Sequence, residues 1–152
     1  MLRVLAHSWP LLLGVMLLMV GNGVQGSLLG IRGALEGFST FQLSVVMSAY
    51  FAGFLAGSRL APQMIRKVGH VRVFSALGSL ISAVLILYPM VLGWSLPIWL
   101  APKDSWQAWI LQPWVMWSLM RVLIGFCFSG IYVTAESWLN NTATNETPGQ
   151  AF

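Results

Sequence analysis

The chain has 152 residues, of which 57% are hydrophobic and 8% are charged, and its mean hydropathy is +0.77. A soluble domain usually carries about 25% charged residues because it needs a hydrated surface. Eight basic and four acidic residues cannot cover a domain of this size in water, and they are dispersed between apolar runs. This pattern excludes a soluble domain and a nucleic-acid-binding patch, and it indicates membrane helices that are in contact with lipid.

Four apolar stretches are long enough to cross a bilayer as helices, which takes about 20 residues. They lie at about 9–31, 43–65, 73–94 and 109–139. A signal peptide is the alternative for the first stretch, but the run is long for one and three more spans follow. Helices satisfy their own backbone hydrogen bonds in lipid, and no stretch alternates as a strand does. The predicted fold class is an all-α membrane protein with about four transmembrane helices.

The links between the stretches predict the orientation of the chain. Arg66, Lys67 and Arg72 crowd the second link, whereas Lys103 and Asp104 nearly cancel in the third. Basic residues concentrate in cytoplasmic loops. Both termini are therefore expected in the cytoplasm, with the third link outside.

Amides and glycines interrupt the first span. Asn22, Gln25, Gly26 and Gly33 share one broad face of an α-helix. Amides in hydrocarbon need partners, so this face must meet protein or water. It either lines a polar cavity near the middle of the membrane or packs against another helix through amide hydrogen bonds. Asn22 and Gln25 are therefore candidate solute-binding or coupling residues.

Small residues recur at intervals of four in the second span, at Ala49, Gly53, Gly57 and Ala61. Such a stripe lets a second helix backbone approach closely. We therefore expect helix packing at Gly53 and Gly57, where Leu should be disruptive and Ala should be mild.

The fourth span contains two charges, Arg121 and Glu136. A lone charge there costs at least about 2.5 kcal/mol, so Arg121 should face the bundle or water. Glu136 lies about 22 Å further along the helix axis, which prevents the two from pairing. Arg121 is a candidate for solute binding or proton coupling, with a structural anchor as the alternative. Tyr132 lies on the same side of the helix as Arg121 and is a further candidate for solute binding or coupling. Gly125 leaves room for a neighbouring helix. Glu136 is expected to serve as a gate or network charge.

Enzyme signatures are missing from the sequence. Two His, one Cys and four acidic residues are scattered over different links and spans, without metal-ligand spacing, a P-loop or a nucleophile elbow. We therefore expect no enzymatic activity, no metal and no cofactor.

The second link resembles the cytoplasmic motif of the major facilitator superfamily, written G-x-L-a-D-R-x-G-R-K/R. Residues 62–72 read PQMIRKVGHVR. Lys67, Gly69 and Arg72 agree with the motif, whereas Pro62 replaces its first glycine and Arg66 replaces its acid. The resemblance implies a cytoplasmic gate at this link. Because Arg66 stands at the position of the motif's acidic residue, the usual charge network lacks that acid here.

The fourth span adds a second resemblance to the same family. Residues 121–125 read RVLIG, similar to an Arg-x-x-x-Gly pattern in the family's fourth helix, where the arginine is often tied to coupling or substrate recognition. Residues 132–137, YVTAES, look like a helix end in a bacterial, drug- or sugar-porter-like branch. Together the motifs imply a multi-pass protein of the bacterial inner membrane that moves a small solute by alternating access, coupled to protons.

Members of this family have twelve helices in two halves, with the solute site between the halves. The resemblance covers about residues 9–152, so the chain is expected to be part of an N-terminal half, as a fragment or a truncated product. Its missing partners would be the C-terminal helices. A different class of function also stays open: a four-span scaffold or assembly protein that does not transport, or a small oligomeric transporter.

Overall fold

The computed structural model describes residues 2–94 and 112–144, with side chains at 9–90 and 112–140. This part of the chain forms four helices and no strand: α1 Leu2–Leu35, α2 Thr40–Val68, α3 His70–Trp94 and α4 Pro113–Thr144. Four segments are long and apolar enough to cross a membrane: Trp9–Leu35, Thr40–Val68, His70–Met90 and Pro113–Asn140. The predicted fold class, an all-α membrane protein, is confirmed. Lys103, Asp104 and residues 109–111 of the fourth predicted span lie outside the described residues.

The helices extend beyond the apolar stretches that predict them, because polar groups set where a helix ends. α2 begins at Thr40 instead of about 43, and Ser39 caps it. The Ser39 hydroxyl accepts a hydrogen bond from the Gln42 N–H at 3.3 Å, and the Gln42 side chain accepts one from the Ser39 N–H at 2.8 Å. This reciprocal pair satisfies two N–H groups that the first helical turn leaves open.

A single residue, Gly69, turns the chain from α2 into α3. Its φ is 87° and its ψ is 160°, a backbone conformation that is essentially restricted to glycine. The Gly69 N–H donates to the carbonyl of Ile65 at 2.9 Å, which closes the last turn of α2. Arg66, Lys67 and Arg72 are exposed around this turn and define what we call the basic end of the bundle.

The other three helices pack around α4. Trp117, Ile124 and Ile131 on α4 are each at most 1% exposed. On α3, the buried residues follow helical spacing along one face and complete the core with α4: Val73, Leu77, Ile81, Val84 and Tyr88. Within the described part of α1, only Leu29 and Gly33 are buried. The core therefore lies between α2, α3 and α4, and α1 covers part of it.

Glycines bring the backbones of α2 and α4 into direct contact. A Cβ atom added at Gly53 would overlap the carbonyl oxygen of Val122. One added at Gly125 would overlap the carbonyl oxygen of Tyr50 on the facing helix. The two helices thus cross where each has a glycine, which is how membrane helices approach closely without a hydrophobic driving force between them.

The same contact continues one turn further along α2. A Cβ atom at Gly57 would lie 2.5 Å from the carbonyl oxygen of Phe126 and 2.9 Å from the Ser129 side chain. Backbone atoms cannot rotate away as a flexible side chain can. The expectation that Ala is mild at Gly53 or Gly57 is therefore wrong, because even a single methyl group meets main chain.

Candidate functional site

Arg121 lies inside the bundle and is only 7% exposed. Its Nη1 atom donates to Gln25 Oε1 on α1 at 3.5 Å, and its Nη2 atom lies 3.7 Å from the Met47 sulfur on α2. The Tyr50 ring covers the guanidinium, with 5.2 Å between Cζ and the ring centroid. A cation on an aromatic face is a favourable contact that strengthens when water is excluded. The cation is therefore held by three neutral side chains from two neighbouring helices.

These contacts hold Arg121 only weakly. Charge-assisted hydrogen bonds from a guanidinium are usually about 2.7–2.9 Å long, well below the 3.5 Å to Gln25. The Arg121 Nε atom is buried and has no hydrogen-bond partner among the described residues. The guanidinium therefore retains donor capacity that the described bundle leaves unused.

The polar face of α1 turns toward α2 and α4. The Asn22 amide donates to the Tyr50 hydroxyl at 3.5 Å, and a Cβ atom at Gly26 would lie 3.6 Å from Arg121 Nη2. Gly33, at the end of the same face, packs against the Leu43 side chain. The structure thus brings Asn22 and Gln25 to Arg121, and their amides make cross-helix hydrogen bonds as the packing interpretation of this face requires.

Gln25 also borders open space between α1, α3 and α4. A cavity of about 580 Å³ is lined by apolar residues together with Gln25, Arg32, Tyr88 and Trp117. A second cavity of about 190 Å³ is lined by Asn22, Gln25 and Phe128 among others. The first falls within the size range of small-molecule sites. Gln25 Nε2, Tyr88 Oη and Trp117 Nε1 are buried without a hydrogen-bond partner in the described part of the chain. The α1 amides therefore pack against helices on one side and border cavities on the other.

A row of aromatic rings joins Arg121 to Tyr132. The centroids of Tyr50 and Phe54 are 6.1 Å apart, and those of Phe54 and Tyr132 are also 6.1 Å apart. All three residues are partly exposed. We call Tyr50, Phe54 and Tyr132 the aromatic row, since it continues from the guanidinium along the α2–α4 contact.

Sequence reasoning identified Arg121 but missed its neighbours on α2, Met47 and Tyr50. A signal for Tyr50 was present, because a hydroxyl in an apolar span needs a partner as an amide does. It also lies three residues before Gly53, on a neighbouring part of the same helix face. Met47 carries no comparable signal, since a thioether fills apolar gaps in many membrane helices.

The residues predicted to form a gate collect at the basic end without pairing. Arg66, Lys67 and Arg72 are exposed, and Glu136 is exposed on α4 near the same end. Among the described residues the one ion pair joins Arg32 and Glu36 at 2.6 Å, four residues apart on α1 and the turn that follows it. Glu136 therefore makes no ion pair within the described bundle.

A polar contact links α3 to α4 at this end. The Nε2 atom of His70 lies 2.9 Å from the hydroxyl of Ser137. Within the described residues, no group of three or more His, Cys, Asp or Glu side chains could hold a metal ion.

Comparison with known proteins finds relatives among membrane transporters. Over 140 residues the chain is 29% identical to proteins named "Uncharacterized MFS-type transporter YcaD" in Escherichia coli O45:K1 (strain S88 / ExPEC), Escherichia coli O81 (strain ED1a) and Escherichia coli O139:H28 (strain E24377A / ETEC). The match covers 92% of this chain, which spans 31% of the length of these relatives. No family model matches the chain, and no solved structure matches it. The resemblance to major facilitator transporters that the motifs indicate is confirmed by these relatives.

Proposed function

We propose that the protein is a secondary active transporter that moves a small solute across the bacterial inner membrane by alternating access, coupled to protons. Similarity to MFS-type transporters over 92% of the chain, together with four apolar helices, supports membrane transport. The observation that carries the proposal is the buried Arg121 guanidinium, which lies within the fourth candidate membrane span among neutral partners.

The position of Arg121 favours a role in transport over a role as an anchor. Arginine stays charged in proteins, so the cost of burying it cannot be avoided by deprotonation. A structural anchor is expected to be neutralised and fully hydrogen-bonded, because a buried charge is tolerated only when it is paired. Here the hydrogen bonds are long and Nε has no described partner. In this proposal Arg121 binds the solute or takes part in proton coupling. Gln25 contacts it directly, Asn22 contacts the Tyr50 hydroxyl, and Tyr132 lies at the far end of the aromatic row.

Further helices complete the pathway in this proposal, as the C-terminal helices of the same transporter. Gly14, Gly21 and Gly23 on α1 have no atom within 4 Å of an added Cβ in the described bundle. Open glycines in a membrane helix suit close approach by another helix. Such a helix would also cover the cavity between α1 and α3.

A depletion experiment tests the transport proposal. Cells producing the full-length protein, and cells carrying an empty vector, are given a mixture of small organic acids, sugars, amines and neutral solutes. Mass spectrometry then follows each solute in the medium and in the cells. The proposal expects faster depletion or efflux of at least one solute, lost when an uncoupler removes the proton gradient. If every solute follows the same time course in the two kinds of cell, with the protein folded in the membrane, the scaffold alternative is favoured.

The proposed orientation places the basic end in the cytoplasm. Thr40 and Lys67 are exposed at opposite ends of α2, and the native Cys127 is buried. We expect a membrane-impermeant thiol reagent, added to intact cells, to label Thr40→Cys and to spare Lys67→Cys. Permeabilised cells provide the control, in which both variants should be labelled. Labelling of Lys67→Cys alone in intact cells would reverse the orientation.

A further inference from the structure

The charge of Arg121 is not balanced inside the described bundle. The described side chains include two carboxylates, those of Glu36 and Glu136. Glu36 pairs with Arg32 at 2.6 Å. Glu136 is exposed and lies 15 residues beyond Arg121 on the same helix, about 22 Å along its axis. Neither carboxylate neutralises the guanidinium, so the site carries one uncompensated positive charge.

The groups around this charge can donate further hydrogen bonds. Arg121 Nε and Gln25 Nε2 are buried donors without a partner among the described residues. The Tyr50 hydroxyl accepts from Asn22 and keeps its own hydrogen to donate. Unused donors around a cation recognise a group that only accepts hydrogen bonds, as a carboxylate does.

The number of charges limits the class of ligand. Arg121 is the single buried basic residue in the described part of the chain, since Arg32, Arg59 and the residues of the basic end are all exposed. One buried cation compensates one negative charge. A dianion would leave its second charge in a low-dielectric surrounding without a partner, which is unfavourable.

The aromatic row supplies an apolar surface beside the cation. The Tyr50 ring contacts the guanidinium. The Phe54 ring lies 6.1 Å from the Tyr50 ring and the Tyr132 ring lies 6.1 Å from that of Phe54, and all three residues are partly exposed. We infer that the site binds an organic monocarboxylate, with the carboxylate on Arg121 and an apolar or aromatic body against the aromatic row. This inference rests on the proposed transport function and names the solute class for the same site.

Binding of phenylacetate to purified full-length protein tests the inference. Phenylacetamide is the matched neutral compound, and phenylmalonate is the matched dianion. A thermal-shift titration at neutral pH gives an apparent Kd for each compound. We expect phenylacetate to bind about tenfold or more tightly than phenylacetamide, since hydrogen bonds to a charged group exceed neutral ones by about that factor. Phenylmalonate should also bind more weakly than phenylacetate.

Three variants connect this preference to the site. Arg121→Gln should bind phenylacetate and phenylacetamide equally, and Arg121→Lys should retain a reduced preference for the anion. Arg59→Gln, an exposed arginine on α2, is the control and should behave as the natural protein does. If Arg121→Gln does not fold, Phe54→Leu provides the test, because it should weaken phenylacetate binding while leaving acetate binding unchanged.

Equal binding of phenylacetate and phenylacetamide by the natural protein would overturn the inference, as would a preference that survives in Arg121→Gln. Equal binding is also the result expected if a carboxylate of another helix already neutralises Arg121. The binding assay is independent of transport. A neutral or cationic solute in the depletion experiment, with no anion preference in binding, would leave the transport proposal standing and remove the solute class. Anion binding without transport of any solute would leave the ligand class standing and remove the transport proposal.

Discussion

Replacing Gly53 with Leu is expected to remove most of the folded protein from the membrane. A Cβ atom there already overlaps the carbonyl oxygen of Val122, and the rest of a leucine side chain would have to enter the same space. The main chain of α4 cannot move aside without also moving Gly125 from its contact with Tyr50. Overpacking of this kind typically costs about 1–3 kcal/mol, and we expect about 3 kcal/mol or more where backbone is the obstacle. Size-exclusion chromatography of fluorescent fusions measures the folded fraction.

The matched control is Ala52→Leu, the preceding position on α2, whose side chain is exposed. That variant should give a normal monodisperse peak. Gly53→Ala should fall between the two, with a clear loss of folded protein, because its methyl group meets the same carbonyl oxygen. If Gly53→Leu matches Ala52→Leu in amount and peak shape, α2 and α4 do not cross at Gly53.

Substituting Arg121 is expected to abolish transport while leaving the protein folded. Arg121→Ala removes the buried cation of the site and its bonds to Gln25 and the Tyr50 ring. If two charge-assisted hydrogen bonds to the solute are lost, each worth about 1.5–3 kcal/mol, uptake should fall at least about 100-fold. Arg121→Lys should also impair uptake, because a compact ammonium cannot reproduce the planar five-donor fork.

The measurement is uptake per folded molecule of the full-length protein, using the solute that the depletion experiment identifies. Arg59→Lys is the control, since this exposed arginine lies away from the site. Normal uptake per molecule in Arg121→Ala, together with a reduced amount of folded protein, would make Arg121 a structural anchor and end its assignment to the solute site.

The sequence was sufficient to predict the fold class because hydropathy is a local property. Each of the four spans could be recognised from its own residues, without information about its neighbours. The same holds for Gly69, which a family motif marks and whose positive φ explains why glycine is needed. The helix ends could be predicted less well from the sequence, because the Ser39–Gln42 cap and not hydropathy determines where α2 begins.

The partners of Arg121 could not be predicted in the same way. Helical periodicity assigns Arg121 and Gln25 each to a face of its own helix, but their contact joins residues 96 positions apart. Nothing in a single sequence specifies which faces meet. The glycine spacing on α2 likewise indicates a close contact without its distance, so spacing alone predicts a mild effect of Ala at Gly53 although its methyl group meets backbone.

In the proposed transporter, the polar face of α1 and Arg121 line a water-filled solute pathway instead of a closed helix contact. The most direct measurement is the reactivity of Asn22→Cys with a small charged thiol reagent, since Asn22 borders both Tyr50 and the smaller cavity. Ile86→Cys, which is on the apolar outer surface of α3, is the control for a side chain in lipid. We expect rapid modification of Asn22→Cys in the full-length protein, slowed by the transported solute, and little modification of Ile86→Cys. If Asn22→Cys reacts as slowly as Ile86→Cys, this face is closed to water and no solute pathway runs along it.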